Sequence, residues 1–267
     1  MNFVSYIYIG IFVLLLIMLV IVLFRRKPKR RQSIQNEYIA GLQALIAGEA
    51  DFALQKFRQV VRRDTDYIDA YVLIGNLFRD RGAYENAIKV HRDLLVRPNL
   101  NTEQQKNILK NLALDYQKNS QPKWALSTCD KIIELDKKSE WAKQFKRTLF
   151  EDMGDWQGAF EMLRKNGAAS KEQKAQQLSA YKVQQGLQFA ALRQEHEARL
   201  RYREAIKQNA KNTTAYIELI QSYVREKRNS SALKEIKKLV QASPENVDVA
   251  LSLSLIHISE PTRPTLI

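Results

Sequence analysis

Apolar residues recur along most of the chain with the spacing of an amphipathic helix. From Ile34 onward they fall at positions i, i+3, i+4 and i+7, and no segment shows the alternation of a half-buried β-strand. Residues 3–24 differ, because they are apolar except for Ser5 and Gly10 and carry no charge. The pattern therefore predicts an all-α protein with a long apolar helix at its N-terminus.

A sequence repeat runs through the helical part of the chain. Its clearest marker is a set of alanines, with three equal spacings and two that are slightly longer: Ala53, Ala87, Ala125, Ala159, Ala198 and Ala232. The equal spacings match the period of about 34 residues that is typical of the tetratricopeptide repeat, a helix–turn–helix unit. The sequence therefore predicts a tetratricopeptide-repeat α-solenoid of about six helix pairs over residues 32–252.

Three other positions keep register with these alanines. Twelve residues before them stand mostly small residues: Gly41, Gly75, Ala113, Arg147, Gly186 and Ile220. Five residues before them stand residues that we expect to adopt a left-handed turn conformation: Gly48, Gly82, Ser120, Gly154, Arg193 and Lys227. Four residues after them stand mostly large side chains: Phe57, His91, Cys129, Leu163, Tyr202 and Ile236.

This pattern has a packing explanation. Small residues and alanines let the two helices of a pair approach closely, and stacked pairs form a right-handed superhelix whose concave surface belongs mainly to the first helices. The two longer spacings predict longer loops at residues 97–103 and 166–173.

Residues 3–24 have the length and composition of a membrane span. Twenty-two helical residues cover about 33 Å, which matches a hydrocarbon core of roughly 30 Å. A cleaved signal peptide would need a positive start and a shorter apolar stretch. Basic residues follow the span directly: Arg25, Arg26, Lys27, Lys29, Arg30 and Arg31. They predict a single-pass anchor with cytoplasmic repeats, and contact with anionic lipid rather than with nucleic acid.

Residues 253–267 break the helical pattern. A seventh repeat starts after Pro244, but its small-residue and alanine positions never arrive. Two interpretations are open: a translated sequencing adapter, which we favour, and a natural disordered tail. We therefore set this segment apart from the repeats as a non-native or disordered tail.

Composition narrows the available chemistry. The chain has 43 Lys plus Arg against 29 Asp plus Glu, a formal net charge of +14, and one cysteine, which excludes an internal disulfide and a four-thiolate metal site. Phosphate-binding glycine loops, zinc-protease motifs and nucleophile elbows are missing from the sequence.

His91 and Cys129 occupy core repeat positions, and His196 lies on a helix surface. The tryptophans are expected to pack between repeats: Trp124, Trp141 and Trp156. The sequence therefore predicts a binding protein rather than an enzyme.

The concave surface is the expected binding site. Four first-helix residues of the second and third repeats are expected to face it: Asn76, Arg79, Lys110 and Lys118. Together they predict a basic patch for an acidic segment or a chain-end carboxylate, with Arg79 and Lys110 facing solvent in the free protein. The alternative for each residue is a solvated helix face that binds nothing.

A more specific pattern is Ile-Gly-Asn-Leu-Phe-Arg-Asp-Arg-Gly at 74–82, followed by Asn-Ala-Ile-Lys-Val-His at 86–91. With the apolar N-terminal segment, Tyr-Ile-Ala-Gly-Leu at 38–42 and the insertion Leu-Asn-Thr-Glu-Gln-Gln at 100–105, it resembles the lipopolysaccharide assembly protein B (LapB) family of Gram-negative bacteria. The resemblance implies an inner-membrane adaptor with cytoplasmic repeats. It also implies control of lipopolysaccharide synthesis by presentation of the deacetylase LpxC to the membrane protease FtsH.

The chain departs from that family in one module. The family ends in a rubredoxin-like module with two metal-binding Cys-x-x-Cys pairs, and no such pair is present here. No family metal ligand is therefore transferred, and no cofactor is expected in this chain. Either the gene model is truncated or the chain is a divergent relative. The alternative function is a general membrane-tethered scaffold for a secretion or cell-division complex.

Overall fold

The structure is a computed structural model that describes residues 3–165 and 170–244, with side chains described for all of these except residues 3–9 and 19–30. The predicted tail at 253–267 lies outside the described residues. Within the described ranges the chain forms helices and short connections, without strands. The predicted all-α class is confirmed for this part of the chain.

The chain divides into two compact units, Met1–Lys138 and Ser139–Ile267. The described helices of the first unit are α1 (Phe3–Ile46), α2 (Ala50–Arg63), α3 (Ile68–Asp80), α4 (Tyr84–Leu95), α5 (Thr102–Lys118) and α6 (Pro122–Leu135). Those of the second unit are α7 (Glu140–Asp152), α8 (Trp156–Lys165), α9 (Lys171–Ala191), α10 (Glu195–Gln208), α11 (Thr213–Arg225) and α12 (Asn229–Ala242). Within each unit, helices that are consecutive in sequence pack together, and α3 also touches α5, as α9 touches α11. This is the packing expected of stacked helix pairs.

The repeat alanines and small residues are where the two helices of a pair meet. All six alanines are fully buried. A Cβ atom added to Gly41 would lie 2.6 Å from the ring of Phe57. One added to Gly186 would lie even closer to the ring of Tyr202. The close approach predicted from the repeat pattern is therefore confirmed in these pairs.

The turns inside the pairs also follow the prediction. All six predicted positions have positive φ, between 55° and 77°: Gly48, Gly82, Ser120, Gly154, Arg193 and Lys227. Three of them are not glycine, although the left-handed region is unfavourable for residues with a Cβ atom.

We expect Arg193→Gly to raise the free energy of unfolding by about 1 kcal/mol. A side chain in the left-handed region costs roughly 1–2 kcal/mol, and the greater freedom of glycine in the unfolded chain offsets part of that gain. Arg193 is exposed in the turn between α9 and α10. Urea denaturation measures the change, with Gln194→Gly as the control, since Gln194 has φ −90°. If both variants lose the same free energy of unfolding, the positive φ of Arg193 does not destabilise the fold.

The prediction of longer loops is confirmed in part, because the connection at 96–101 has six residues against four at 64–67, but most of the extra residues lengthen helices. Helix α5 has 17 residues against 13 in α3. It starts inside the insertion, where Asn101 Oδ1 accepts from the Gln104 backbone N–H at 2.8 Å and the Asn101 N–H donates to Gln104 Oε1 at 3.1 Å. This capping box satisfies N–H groups that a helix start leaves without partners. In the same way α9 reaches 21 residues after the N-cap Ser170.

Helix α1 spans 44 residues and includes both the predicted anchor and the basic run. Most side chains of these two segments lie outside the described residues: positions 3–9, 19–24 and 25–30. Arg31 is described and exposed. Among the described residues, no helix combines the length and the apolar composition that crossing a membrane requires. The anchor therefore stays a prediction.

Candidate functional site

A groove of about 320 Å³ opens on the first unit between the first helices of three consecutive repeats. Its lining comes from α1, α3 and α5: Tyr38, Asp69, Val72, Leu73, Asn76, Asn107, Lys110 and Asn111. Tyr38, Val72 and Lys110 occupy the same position in their respective repeats. The groove is therefore built by the repeat itself, on the helices that the sequence predicted would form the concave surface.

The structure brings together two of the four predicted site residues. Asn76 and Lys110 both line the groove. Lys118 is exposed at the last position of α5 and is not a lining residue. Arg79 lies one turn beyond Asn76 on α3 and takes part in a different arrangement.

Arg79 is held inside the fold, so the prediction that it faces solvent is wrong. Its side chain is only 14% exposed, and one guanidinium nitrogen lies 2.7 Å from Asp115 Oδ1. The same nitrogen donates to the backbone oxygen of Asn111 at 3.2 Å, and the other terminal nitrogen donates to Asn76 Oδ1 at 2.8 Å. Its charge is thereby matched by a carboxylate from α5, and the basic patch predicted for the groove is reduced.

Asp115 links this arginine to a buried histidine. Its second oxygen lies 2.5 Å from His91 Nδ1, and both side chains are fully buried. The other ring nitrogen of His91 lies 3.2 Å from the backbone oxygen of Val72. The interpretation of His91 as a packed core residue is confirmed. Sequence reasoning missed Asp115, although a carboxylate at the repeat position of Leu77 was a signal that it needed a buried partner.

These contacts orient the amides of the groove. Arg79 engages Asn76 Oδ1, so the Nδ2 hydrogens are the part of that amide left for a ligand. Asn111 Nδ2 donates to the backbone oxygen of Asn107 at 2.9 Å and to Asn107 Oδ1 at 3.2 Å. This leaves the Nδ2 hydrogens of Asn107 as donors in turn. The amides of Asn76 and Asn107 and the Lys110 ammonium therefore give the groove mainly hydrogen-bond donors.

The groove also carries a hydrogen-bond acceptor. Asp69 supplies a carboxylate beside Tyr38, and both line the groove. Burial raises the pKa of the Tyr38 hydroxyl, and the negative charge of Asp69 raises it further. Tyr38 is therefore a neutral hydroxyl at physiological pH, able both to donate and to accept.

Two arginines of the second unit, Arg225 and Arg199, are paired with carboxylates. Arg225 Nε donates to Glu195 Oε1 at 2.7 Å, and the Ser222 hydroxyl donates to Glu195 Oε2 at 2.5 Å. Burial acts to raise the pKa of Glu195, but these two hydrogen bonds lower it overall. Arg199 is buried and lies 2.9 Å from Glu226. This network stabilises the packing of α10 on α11.

The remaining candidate residues have structural surroundings. Cys129 is fully buried, as predicted, and His196 is exposed on α10. Trp156 stacks on Tyr181 of the next helix pair, but Trp124 is 62% exposed, so the prediction that it packs between repeats is wrong. Its ring instead stacks on Tyr116 at the surface. Within residues 3–165 and 170–244, His, Cys, Asp and Glu side chains form no group of three or more suited to a metal ion.

Comparison with known proteins gives a partial match. No family model matches the chain. Lipopolysaccharide assembly protein B of Escherichia coli (strain K12) is 30% identical over 92 residues, which are 34% of this chain and 24% of that protein. The Haemophilus influenzae protein of the same name is 27% identical over 105 residues, 34% of this chain and 26% of that protein. The expected resemblance to that family is confirmed over about a third of the chain, and the match spans about a quarter of the length of the curated relatives.

Solved structures with a similar fold include a tetratricopeptide repeat protein from Parabacteroides merdae. The two chains are 15% identical in sequence and superpose with a TM-score of 0.49. The superposition covers 79% of this chain and 80% of the Parabacteroides merdae chain.

Proposed function

We propose that this chain is an adaptor that captures an extended segment of a partner protein in the groove of the first unit. The observation that carries the proposal is the pair of amide donors on α3 and α5, Asn76 oriented by Arg79 and Asn107 by Asn111, in a groove that Lys110 also lines. An extended peptide exposes a backbone carbonyl at every residue, and fixed donors match such acceptors without the cost of ordering them on binding.

The charges of the groove refine the ligand. Asp115 neutralises Arg79, which leaves Asp69 and Lys110 as the charged lining residues. A segment with a carboxylate beside Lys110 and a donor beside Asp69 fits this pair better than a uniformly acidic segment does. The carboxylate can be an acidic side chain or a chain end.

The biological role we propose is regulation of lipopolysaccharide biosynthesis at the inner membrane. Support comes from the resemblance to lipopolysaccharide assembly protein B over about a third of the chain. The uncharged segment at 3–24 and the basic run after it support a single-pass anchor with the repeats in the cytoplasm. In this role the groove would present LpxC to FtsH.

The test is removal of two donors from the groove in the full chain. We expect Asn76→Ala/Lys110→Ala to weaken partner binding by about one to three powers of ten. A neutral hydrogen bond contributes about 0.5–1.5 kcal/mol and a charged one about 1.5–3 kcal/mol. Binding of purified LpxC and FtsH to the immobilised protein measures the change, and circular dichroism checks that helicity is kept.

The matched control is Asn86→Ala/Lys89→Ala, which removes the same residue types from the exposed face of α4. It should bind like the natural chain. If the groove variant keeps its helicity and binds at the natural level, the partner is not held in the groove. If the natural chain binds neither LpxC nor FtsH, the lipopolysaccharide role is overturned.

A further inference from the structure

A second pocket, separate from the groove, lies on the first unit between α2 and the end of α3. Its volume is about 410 Å³. It is lined by Asp51, Leu54, Gln55, Arg58, Gln59, Arg62, Phe78 and Arg81. No lining residue is shared with the groove.

The pocket has an excess of positive charge. Arg58 and Arg62 lie one turn apart on α2, both are exposed, and the described part of the chain offers neither an ion-pair partner. Arg81 is paired with Asp51 at 2.7 Å, but the Asp51 side chain is 96% exposed. Such a surface pair contributes little to stability, so Arg81 is available to a ligand at small cost. Three guanidinium groups thus share one pocket with a single carboxylate at its rim.

We propose that this pocket binds a phosphate group. One guanidinium neutralises a carboxylate through a two-bond fork, whereas inorganic phosphate or a phosphate monoester carries a larger charge and at least three acceptor oxygens. Three arginines with the amides of Gln55 and Gln59 therefore match phosphate better than carboxylate. Leu54 and Phe78 supply an apolar wall for the carbon part of a phosphate ester.

Two sources of phosphate fit this chemistry, a lipid headgroup and soluble phosphate. Arg63, next to Arg62, donates to the Ser33 hydroxyl of α1 at 3.0 Å. The Arg62 end of the pocket therefore lies beside the stretch of α1 that follows the basic run at 25–31. If residues 3–24 cross a membrane, headgroup phosphates are the nearest source; a soluble ligand needs no anchor.

Isothermal titration calorimetry on the full chain in non-ionic detergent and phosphate-free buffer tests the proposal. The probes are inorganic phosphate, dihexanoyl phosphatidic acid, whose headgroup is a phosphate monoester, and a hexaglutamate peptide. We expect Arg58→Gln/Arg62→Gln to weaken phosphate or phosphatidic acid binding at least tenfold. The matched control is Lys89→Gln/Arg92→Gln, which removes two positive charges from α4, with Arg92 at the repeat position of Arg58. Its binding should stay within twofold of the natural chain.

The probes also separate the sources. Saturable binding of inorganic phosphate supports a soluble ligand, and binding of phosphatidic acid alone supports a lipid headgroup. Arg58→Lys/Arg62→Lys keeps the charge but loses the fork, so it should bind with intermediate affinity. Equal loss in the glutamine variant and its control, saturable binding of hexaglutamate alone, or no saturable binding of either phosphate probe would overturn the proposal.

Discussion

Asp115→Ala is expected to lower the free energy of unfolding by about 3–5 kcal/mol, because removing one partner of a buried ion pair strands the other inside the fold. Asp115 is fully buried between Arg79 and His91, at 2.7 Å and 2.5 Å. Without the carboxylate, a mostly buried guanidinium and a fully buried imidazole lose their shared acceptor. Chemical denaturation of the full chain, followed by circular dichroism, measures the loss.

The control for this prediction is Asp93→Ala, which removes an exposed carboxylate from α4 and should change stability by no more than about 0.5 kcal/mol.

A triple variant separates the effect of the buried charges from the effect of packing. Other repeats carry Leu45, Phe57 and Leu77 at the positions of Arg79, His91 and Asp115. Arg79→Leu/His91→Phe/Asp115→Leu should therefore recover most of the lost stability, since well-packed apolar groups can replace a buried ion pair. A loss below about 1 kcal/mol in Asp115→Ala, far under the usual cost of breaking a buried pair, would show that the network does not stabilise the fold.

Gly186→Ala is expected to lower the free energy of unfolding by about 1–3 kcal/mol, the usual cost of overfilling a packed core. The added Cβ would overlap the ring of Tyr202, which is fully buried. At an exposed helical site the same change would instead stabilise the helix by about 1 kcal/mol. The direction of the effect therefore reports the close approach of α9 and α10. Thermal and urea denaturation of the full chain measure it.

A double variant tests the cause. Tyr202→Leu places at this position the residue that Leu163 supplies in another repeat. The hydroxyl of Tyr202 has no hydrogen-bond partner among the described residues, and burial raises its pKa to about 12. The smaller side chain therefore removes the clash without breaking a hydrogen bond. Gly186→Ala/Tyr202→Leu should be less destabilised than the sum of the single variants. If the two losses in the free energy of unfolding simply add, the cost of Gly186→Ala does not come from a clash with Tyr202.

The features that the sequence predicted well depend on local rules that recur in every helix pair. The six alanines are buried and the six turn positions are left-handed, because each requirement concerns a backbone angle or a contact within one helix pair. The first-helix groove followed for the same reason, and it contains Asn76 and Lys110 as predicted. The wide spacings followed the prediction only in part, because a local capping box at Asn101 starts α5 inside the segment that was expected to be loop.

By itself, the sequence determined the helix pairs and the helices that line the groove, since both depend on periodicity and on contacts between near neighbours. Only the tertiary structure decided what the groove presents. The sequence predicted that Arg79 would be a cation of the groove. In the structure its guanidinium binds Asp115, which lies 36 residues later on α5. A buried charge is stable only with a partner, and which partner lies within reach depends on how two repeats stack. The stacking therefore converts a predicted basic patch into a set of oriented amide donors beside one lysine and one aspartate.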